Sequence, residues 1–351
     1  MYKINRHICW TCCIAALFLF IGDKAGAKSR PLFASDSTIA VTIEGPLSTI
    51  MRNRDETDEY PATLKFTDAD GTERGLEIRL RVRGKYRRKR DVCSFAPLRL
   101  NFQKAQVEGT VFAGQDKIKL VTDCQSSRPR FQQYLLKEYL TYRFFNVLTD
   151  TSFGARLLRV TYVDTDKKNR ARESYAFFIE EKKHIAERLG IKRLNLERTS
   201  YNALDPAHSN LVNVFEYFIG NTDFSLIRGP SGTACCHNAT LYQKDNDPII
   251  PIPYDFDHAG MVDAPYAAPN PRFKIKSVRQ RLYRGRCTNN SYLDSTMRRF
   301  IEKRDDVYQL VENLEGFNQR SIKLTKVFID SFYKDISSQK YIEKKLLKRC
   351  N

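Results

Sequence analysis

Between residues 37 and 121 apolar and polar side chains alternate in short runs, the period-two signature of half-buried strands. Strands are predicted at 37–45, 61–66, 76–82, 97–102 and 117–121. In the clearest of them Leu76, Ile78, Leu80 and Val82 alternate with Glu77, Arg79, Arg81 and Arg83. The turn Asp68 to Gly71 joins two of these runs, and the basic loop 85–90 follows Gly84. The period then changes: Leu135, Leu136, Tyr139, Leu140 and Phe144 recur every three or four positions, predicting a helix over 129–148. Residues 156–163 and 174–180 form a predicted strand pair around the polar turn 164–169. A short helix at 186–189 and a stronger one at 209–219 come next. Residues 221–266 are irregular, rich in Gly, Pro, Asp and Asn, and from about residue 291 the pattern is helical, with Phe300, Val307, Val311, Leu324 and Phe328 on apolar faces. The expected plan is α+β: an antiparallel β-rich N-terminal lobe with one long helix over 28–180 and a mainly helical C-terminal lobe over 181–351.

Ahead of these elements, Lys3 and Arg6 precede an apolar run from Ile8 to Ile21 that ends in Ala25-Gly-Ala27. A charged start, a short apolar middle and a small-residue exit predict a secretory signal peptide over 1–27. The run is shorter than the roughly 20 residues a spanning helix needs. An extracytoplasmic destination, periplasmic or secreted, follows, with no transmembrane segment after cleavage. Loss of Lys3, Arg6, Lys24 and Asp23 lowers the formal charge from +18 to +16. Such a surface attracts anions, among them phosphates, acidic glycans and anionic polymers. The charge is spread over many segments and no nucleic-acid motif is present, so nucleic acid is not the expected partner.

Three of the nine cysteines lie within 1–27, leaving Cys93, Cys124, Cys235, Cys236, Cys287 and Cys350. An even count in an exported chain predicts disulfides. Cys93 and Cys124 flank a compact strand-rich block and form the first expected pair. Adjacent cysteines seldom bridge each other, so Cys235 and Cys236 are expected to reach Cys287 and Cys350. A zinc site from Cys235, Cys236 and His237 is the alternative, without a CxxC spacing.

Candidate chemistry collects at 220–258, where a predicted helix hands over to polar loops. Asp223 follows the helix, Asn238 follows Cys235-Cys-His237, and Asp255 and Asp257 sit two apart, so that on an extended segment both face one way. Hard divalent cations such as Mg or Mn take oxygen ligands from one or two carboxylates plus phosphate oxygens. One carboxylate for the nucleophile and others for a metal is the division that phosphoryl transfer uses. The plainer reading is that Asp and Asn here bond their own turns. No Ser or Cys stands in a nucleophile elbow, which argues against a serine hydrolase.

In this order the residues resemble a known family. Arg83-Gly84, the strand to Phe102, the strand Lys117 to Val121, the helix bearing Glu138, the strand ending at Glu180, Gly220 to Asp223 through Asn238, and Tyr254 to Asp257 are similar to segments of the spore-coat-H (CotH) kinases. The resemblance implies a two-lobed, protein-kinase-like architecture. It implies that Asp223 is the catalytic aspartate, that Asn238 with Asp255 or Asp257 holds Mg or Mn, and that Glu180 lies at a nucleotide hinge. Lys119, on a strand before the helix of Glu138, fits a lysine–glutamate pair for ATP, with Lys117 and Arg99 as competitors. Arg83-Gly84-Lys85 is the nearest counterpart of a Gly-rich phosphate loop. The function implied is metal-dependent phosphoryl transfer to a protein or glycan hydroxyl. The alternatives are a non-catalytic envelope protein that binds an anionic polymer and a metal-dependent phosphoester hydrolase.

Overall fold

A computed structural model describes residues 31–350, so the expected leader lies outside the described residues. The alternating runs form β1 (Ile39–Gly45), β2 (Tyr60–Thr67), β3 (Glu73–Val82), β4 (Leu98–Phe102) and β5 (Lys117–Val121). Two short helices that the pattern did not predict, α1 (Leu47–Asn53) and α2 (Lys104–Val107), interrupt them. The long helix is α3 (Arg130–Leu148), followed by the hairpin β6 (Ala155–Asp164) and β7 (Arg170–Ile179).

These strands close on themselves in the order β1-β2-β3-β4-β5-β7-β6. All neighbours are antiparallel except the closing pair, in which β1 runs parallel to β6 with Ile39 opposite Leu158 and Ile43 opposite Tyr162. The alternation has a direct physical outcome. Val41, Leu64, Leu80, Leu100, Leu120 and Phe178 fill the interior. β6 and β7 are buried on both faces, because Leu157, Phe177 and Ile179 point outward onto α3.

The second half begins with α4 (Lys182–Leu189), the two-residue β8 (Lys192–Arg193) and α5 (Pro206–Ile219). Asp205 starts α5 by accepting the His208 amide at 2.6 Å, with Pro206 at the first helical position. β9 (Ala239–Gln243) and β10 (Ile250–Pro253) pair antiparallel and join β8 in a three-stranded sheet. The chain ends in α6 (Leu293–Glu302), α7 (Arg304–Glu312), α8 (Gln319–Ile336) and α9 (Gln339–Lys345). No helix among the described residues is long and apolar enough to cross a membrane.

The expected two-lobed, kinase-like architecture is corrected by this arrangement. The first half is a closed seven-stranded barrel, because β6 returns to cover the free edge of β1. The second half is a small sheet with helices and not a helical lobe. One apolar core runs from β5–β7 through α3 and α5 into α8, so the halves share an interior.

Among the described residues three disulfides are formed: Cys93–Cys124, Cys235–Cys236 and Cys287–Cys350. The first pair is the one expected. The other expectation is overturned, since the adjacent cysteines bridge each other. That leaves Cys350, carried back to Asn290 after α9, to meet Cys287 with Cα atoms 5.0 Å apart.

Candidate functional site

α5 stops at Gly220, whose φ of 69° is the left-handed cap that lets the chain turn sharply. The Asn221 side chain then accepts the Asp223 amide at 2.9 Å. Main-chain bonds from Gly260 to Gly220 and from Met261 to Ile219 bring the 255–261 loop beside this turn. Gly260 also admits the segment at Val278, since a Cβ there would collide with the Val278 carbonyl.

Asn238 arrives by a different route. Ser225 and His237 form an isolated antiparallel bridge, which returns the chain to the Asp223 turn after the excursion that carries the Cys235–Cys236 bridge. The register of β9 with β10 sets Ala239 opposite Pro253, so Asn238 and Tyr254 leave the hairpin together, and the Tyr254 amide bonds the Asn238 carbonyl at 3.0 Å. The Asp255 amide donates to the Tyr142 hydroxyl of α3 at 2.9 Å. Asn238 and Asp255 both hold left-handed backbone, with φ of 53° and 65°. Such conformations persist in non-glycine residues only where the surroundings impose them.

The cleft contains two electrostatic groups. In the first, His237 Nε2 lies 2.8 Å from Asp223 Oδ1, and the Asn238 amide nitrogen donates to the Asp223 carbonyl at 2.6 Å and to its carboxylate at 3.2 Å. Burial alone would raise Asp223, but the bonds from His237 and Asn238 and the charges of His237 and His258 hold it below its ordinary value. The bond to Asp223 raises His237 against its own burial. In the second group the Arg87 guanidinium donates to Glu138 at 3.0 and 3.3 Å and stands 3.5 Å from Asp257. Burial pushes Glu138 up to about 8 against the pull of Arg87, with Asp257 and Asp255 adding to the rise. Asp255 is raised by burial and by Asp257, while Arg87 and Arg83 oppose that.

Cations line the barrel side. Burial lowers Lys119 to about 7, opposed by Glu181 and assisted by Arg83, Lys182 and Arg99. Lys182 is lowered to about 8 by burial, and it lies 4.7 Å from the Tyr254 ring with Lys119 at 5.8 Å from the same ring. Two lysines crowded with arginines around one tyrosine are poised to gain from an anion, which would relieve their mutual repulsion.

The sequence-predicted residues are therefore placed as follows. Asp223, Asn238, Asp255 and Asp257 come together, with Arg83 as a charge neighbour of Asp255 and Lys119. Glu138 joins them, but its partner is Arg87 and the carboxylate neighbour of Lys119 is Glu181. Glu180 is held elsewhere: its carboxylate takes the Gly154 amide at 3.0 Å and the Arg188 guanidinium at 3.0 Å. Sequence reasoning missed Arg87, Lys182 and Tyr142 and gave His237 a zinc role. Arg87 sits inside the run Lys85 to Arg90, where nothing distinguishes one cation from the next.

Among the described residues no three His, Cys, Asp or Glu side chains are grouped closely enough to enclose a metal. Mg²⁺ needs fewer protein ligands, since one or two carboxylates with water and phosphate oxygens complete its octahedron. Asp255 fits that role, because its half-buried carboxylate makes no hydrogen bond or ion pair among the described residues. Asp257 fits less well, being engaged by Arg87 and Tyr266.

No family model matches the chain, and no curated protein matches it significantly.

Proposed function

We propose that the chain is an exported, metal-dependent phosphotransferase that moves a phosphoryl group from ATP to a protein or glycan hydroxyl. One observation carries this reading: Asp223 is held below its ordinary value by His237 and Asn238, while Asp255, one loop away, carries a carboxylate with no direct ion pair among the described residues. A base held ready beside a carboxylate free of direct ion pairs is the pairing that phosphoryl transfer requires.

Asp223 takes the proton of the acceptor hydroxyl as its oxygen bonds phosphorus, and the bond to the nucleoside diphosphate breaks. Arg83, Lys119 and Lys182 meet the donor phosphates. Asp255 and the Asn238 side-chain oxygen would hold Mg²⁺ or Mn²⁺, which when bound neutralises charge on those phosphates. The similarity of the 220–257 motifs to spore-coat-H kinases supports the same roles. Three disulfides belong to an oxidising compartment, which agrees with the predicted leader.

Thermal unfolding of the oxidised chain with ATP and Mn²⁺ tests the reading. At about 100 times the dissociation constant the expected gain is about 2.7 kcal/mol. The gain should require both metal and nucleotide and disappear in Asp255→Asn. Asp223→Ala should keep the shift and lose phosphate incorporation into the chain itself or added casein, read by mass spectrometry. Absence of any nucleotide-dependent shift, or equal incorporation by Asp223→Ala and the parent, would remove the proposal.

A further inference from the structure

Where β1 and β6 end and β7 begins, the barrel opens into a cavity of about 420 Å³ that shares no residue with the Asp223–Asp255 cleft. Its floor is the rings of Phe95 and Tyr162, and the Arg172 guanidinium lies over both, at 4.3 and 4.4 Å from their centres. Arg172 is fixed there by buried Asp123, at 3.2 Å. The Tyr162 hydroxyl is buried without a hydrogen-bond partner. Two further cations, Lys167 and Arg170, stand exposed on the rim. The one carboxylate of the lining, Asp164, is engaged internally: it accepts the Ser48 amide at 3.2 Å and the Ser48 hydroxyl at 2.5 Å. The Cys93–Cys124 bridge and the bond from the Phe95 amide to the Cys124 carbonyl tie together the two segments that carry Ser94, Ser126 and Ser127. Those three hydroxyls bond nothing else among the described residues.

The geometry points to a second binding site here, one for an acidic saccharide unit bearing a carboxylate, phosphate or sulfate. Arg172 is balanced by Asp123, so the selection for an anion comes from Lys167 and Arg170, two rim cations facing the single lining carboxylate of Asp164. The cavity lies within the size range of small-molecule sites and far exceeds a bare oxyanion. Serine hydroxyls match a polyhydroxylated body, and Leu47 and Met51 offer apolar contact to its C–H face. A nucleobase fits poorly, since base stacking needs an open aromatic face and Arg172 already covers both rings. The inference does not depend on the phosphotransfer reading.

Titration calorimetry of the full oxidised chain with glucuronate, glucose 6-phosphate, glucose 6-sulfate, neutral glucose and inorganic sulfate tests it. At least one acidic sugar should bind about tenfold or more tighter than glucose, and the best of the three identifies the acid. Arg172→Gln should abolish binding. Because that change leaves Asp123 buried without its partner, the decisive variant is Lys167→Ser with Arg170→Ser on the exposed rim. It should weaken binding about tenfold with thermal stability unchanged, and added salt should weaken the parent likewise. Equal binding of glucose, sulfate binding as tightly as the sugars, no binding of any acidic sugar, or an unaffected double variant would each overturn the assignment.

Discussion

In the barrel, Leu80 lies opposite Leu100 and Leu100 opposite Ile118, strand to strand, and the backbone supplies every bond of the ladder. From Asn221 to Arg286 there is little such ladder, and guanidinium groups take over its work. Arg284 donates to the carbonyls of Thr222 and Phe224, at 3.1 and 2.7 Å, gripping Asp223 from both sides while stacking at 4.3 Å on Phe224. Arg281 donates to the carbonyls of Phe218 and Phe328 at 3.1 and 2.6 Å. Buried carbonyls must find donors. A regular sheet finds them locally, while an irregular loop borrows them from elsewhere in the chain. The barrel is thus specified by a pattern and the cleft by individual side chains.

That contrast can be tested in descending order of effect. Replacing Cys93 and Cys124 by Ser should cost about 3–4 kcal/mol in the chain-entropy model, seen as a lower urea midpoint, and should leave nucleotide-dependent stabilisation in place. Leu100→Ala, inside the barrel, should cost about 2–5 kcal/mol by the same measurement, again without touching the cleft. Arg284→Met should cost less, about 1–3 kcal/mol, yet speed amide exchange at Asp223 and Phe224 specifically. Uniform exchange across the chain in that variant would show that Arg284 does not organise the loop.

The smallest effect concerns pH. His237 is raised, so its contribution to stability is complete below its unfolded value of 6.5 and fades as pH climbs through the folded value. Asp223 is lowered, so its contribution is complete above 3.8 and fades as pH falls through the folded value. The pair is therefore strongest between those limits. Proton resonances of the His237 ring should titrate with a midpoint above 6.5 that returns towards 6.5 in Asp223→Asn. Identical midpoints in parent and variant would dissolve the dyad.

The same division governs what could be read from the residues alone. Alternation gave the strands because one face of each fills the barrel: Leu76, Ile78, Leu80 and Val82 are buried where Glu77 and Arg79 are exposed. Barrel closure left no local mark. The parallel contact of β1 with β6 joins segments far apart in sequence, and an edge strand that gets covered reads like one that does not. The clustering of Asp223, Asn238, Asp255 and Asp257 was legible as a group of carboxylates and amides in polar loops. The partners were not: Arg87 reaches Glu138 from a charge run, and Arg188 claims Glu180 from the next helix. The vicinal bridge at Cys235 was hidden by a sound statistical expectation that fails at this position.

The closing contact also constrains how the chain is born. Among the described strands β1 is made first, yet one of its edges stays open until β6 has followed, and the barrel closes only when β7, which ends at Ile179, links β6 to β5. Through that interval the nascent chain presents the unpaired strand edge that invites association with neighbours. Closure is then a late event that no shorter prefix can rehearse. A chain released before Ile179 should aggregate, while one released soon after it has every strand of the barrel in hand.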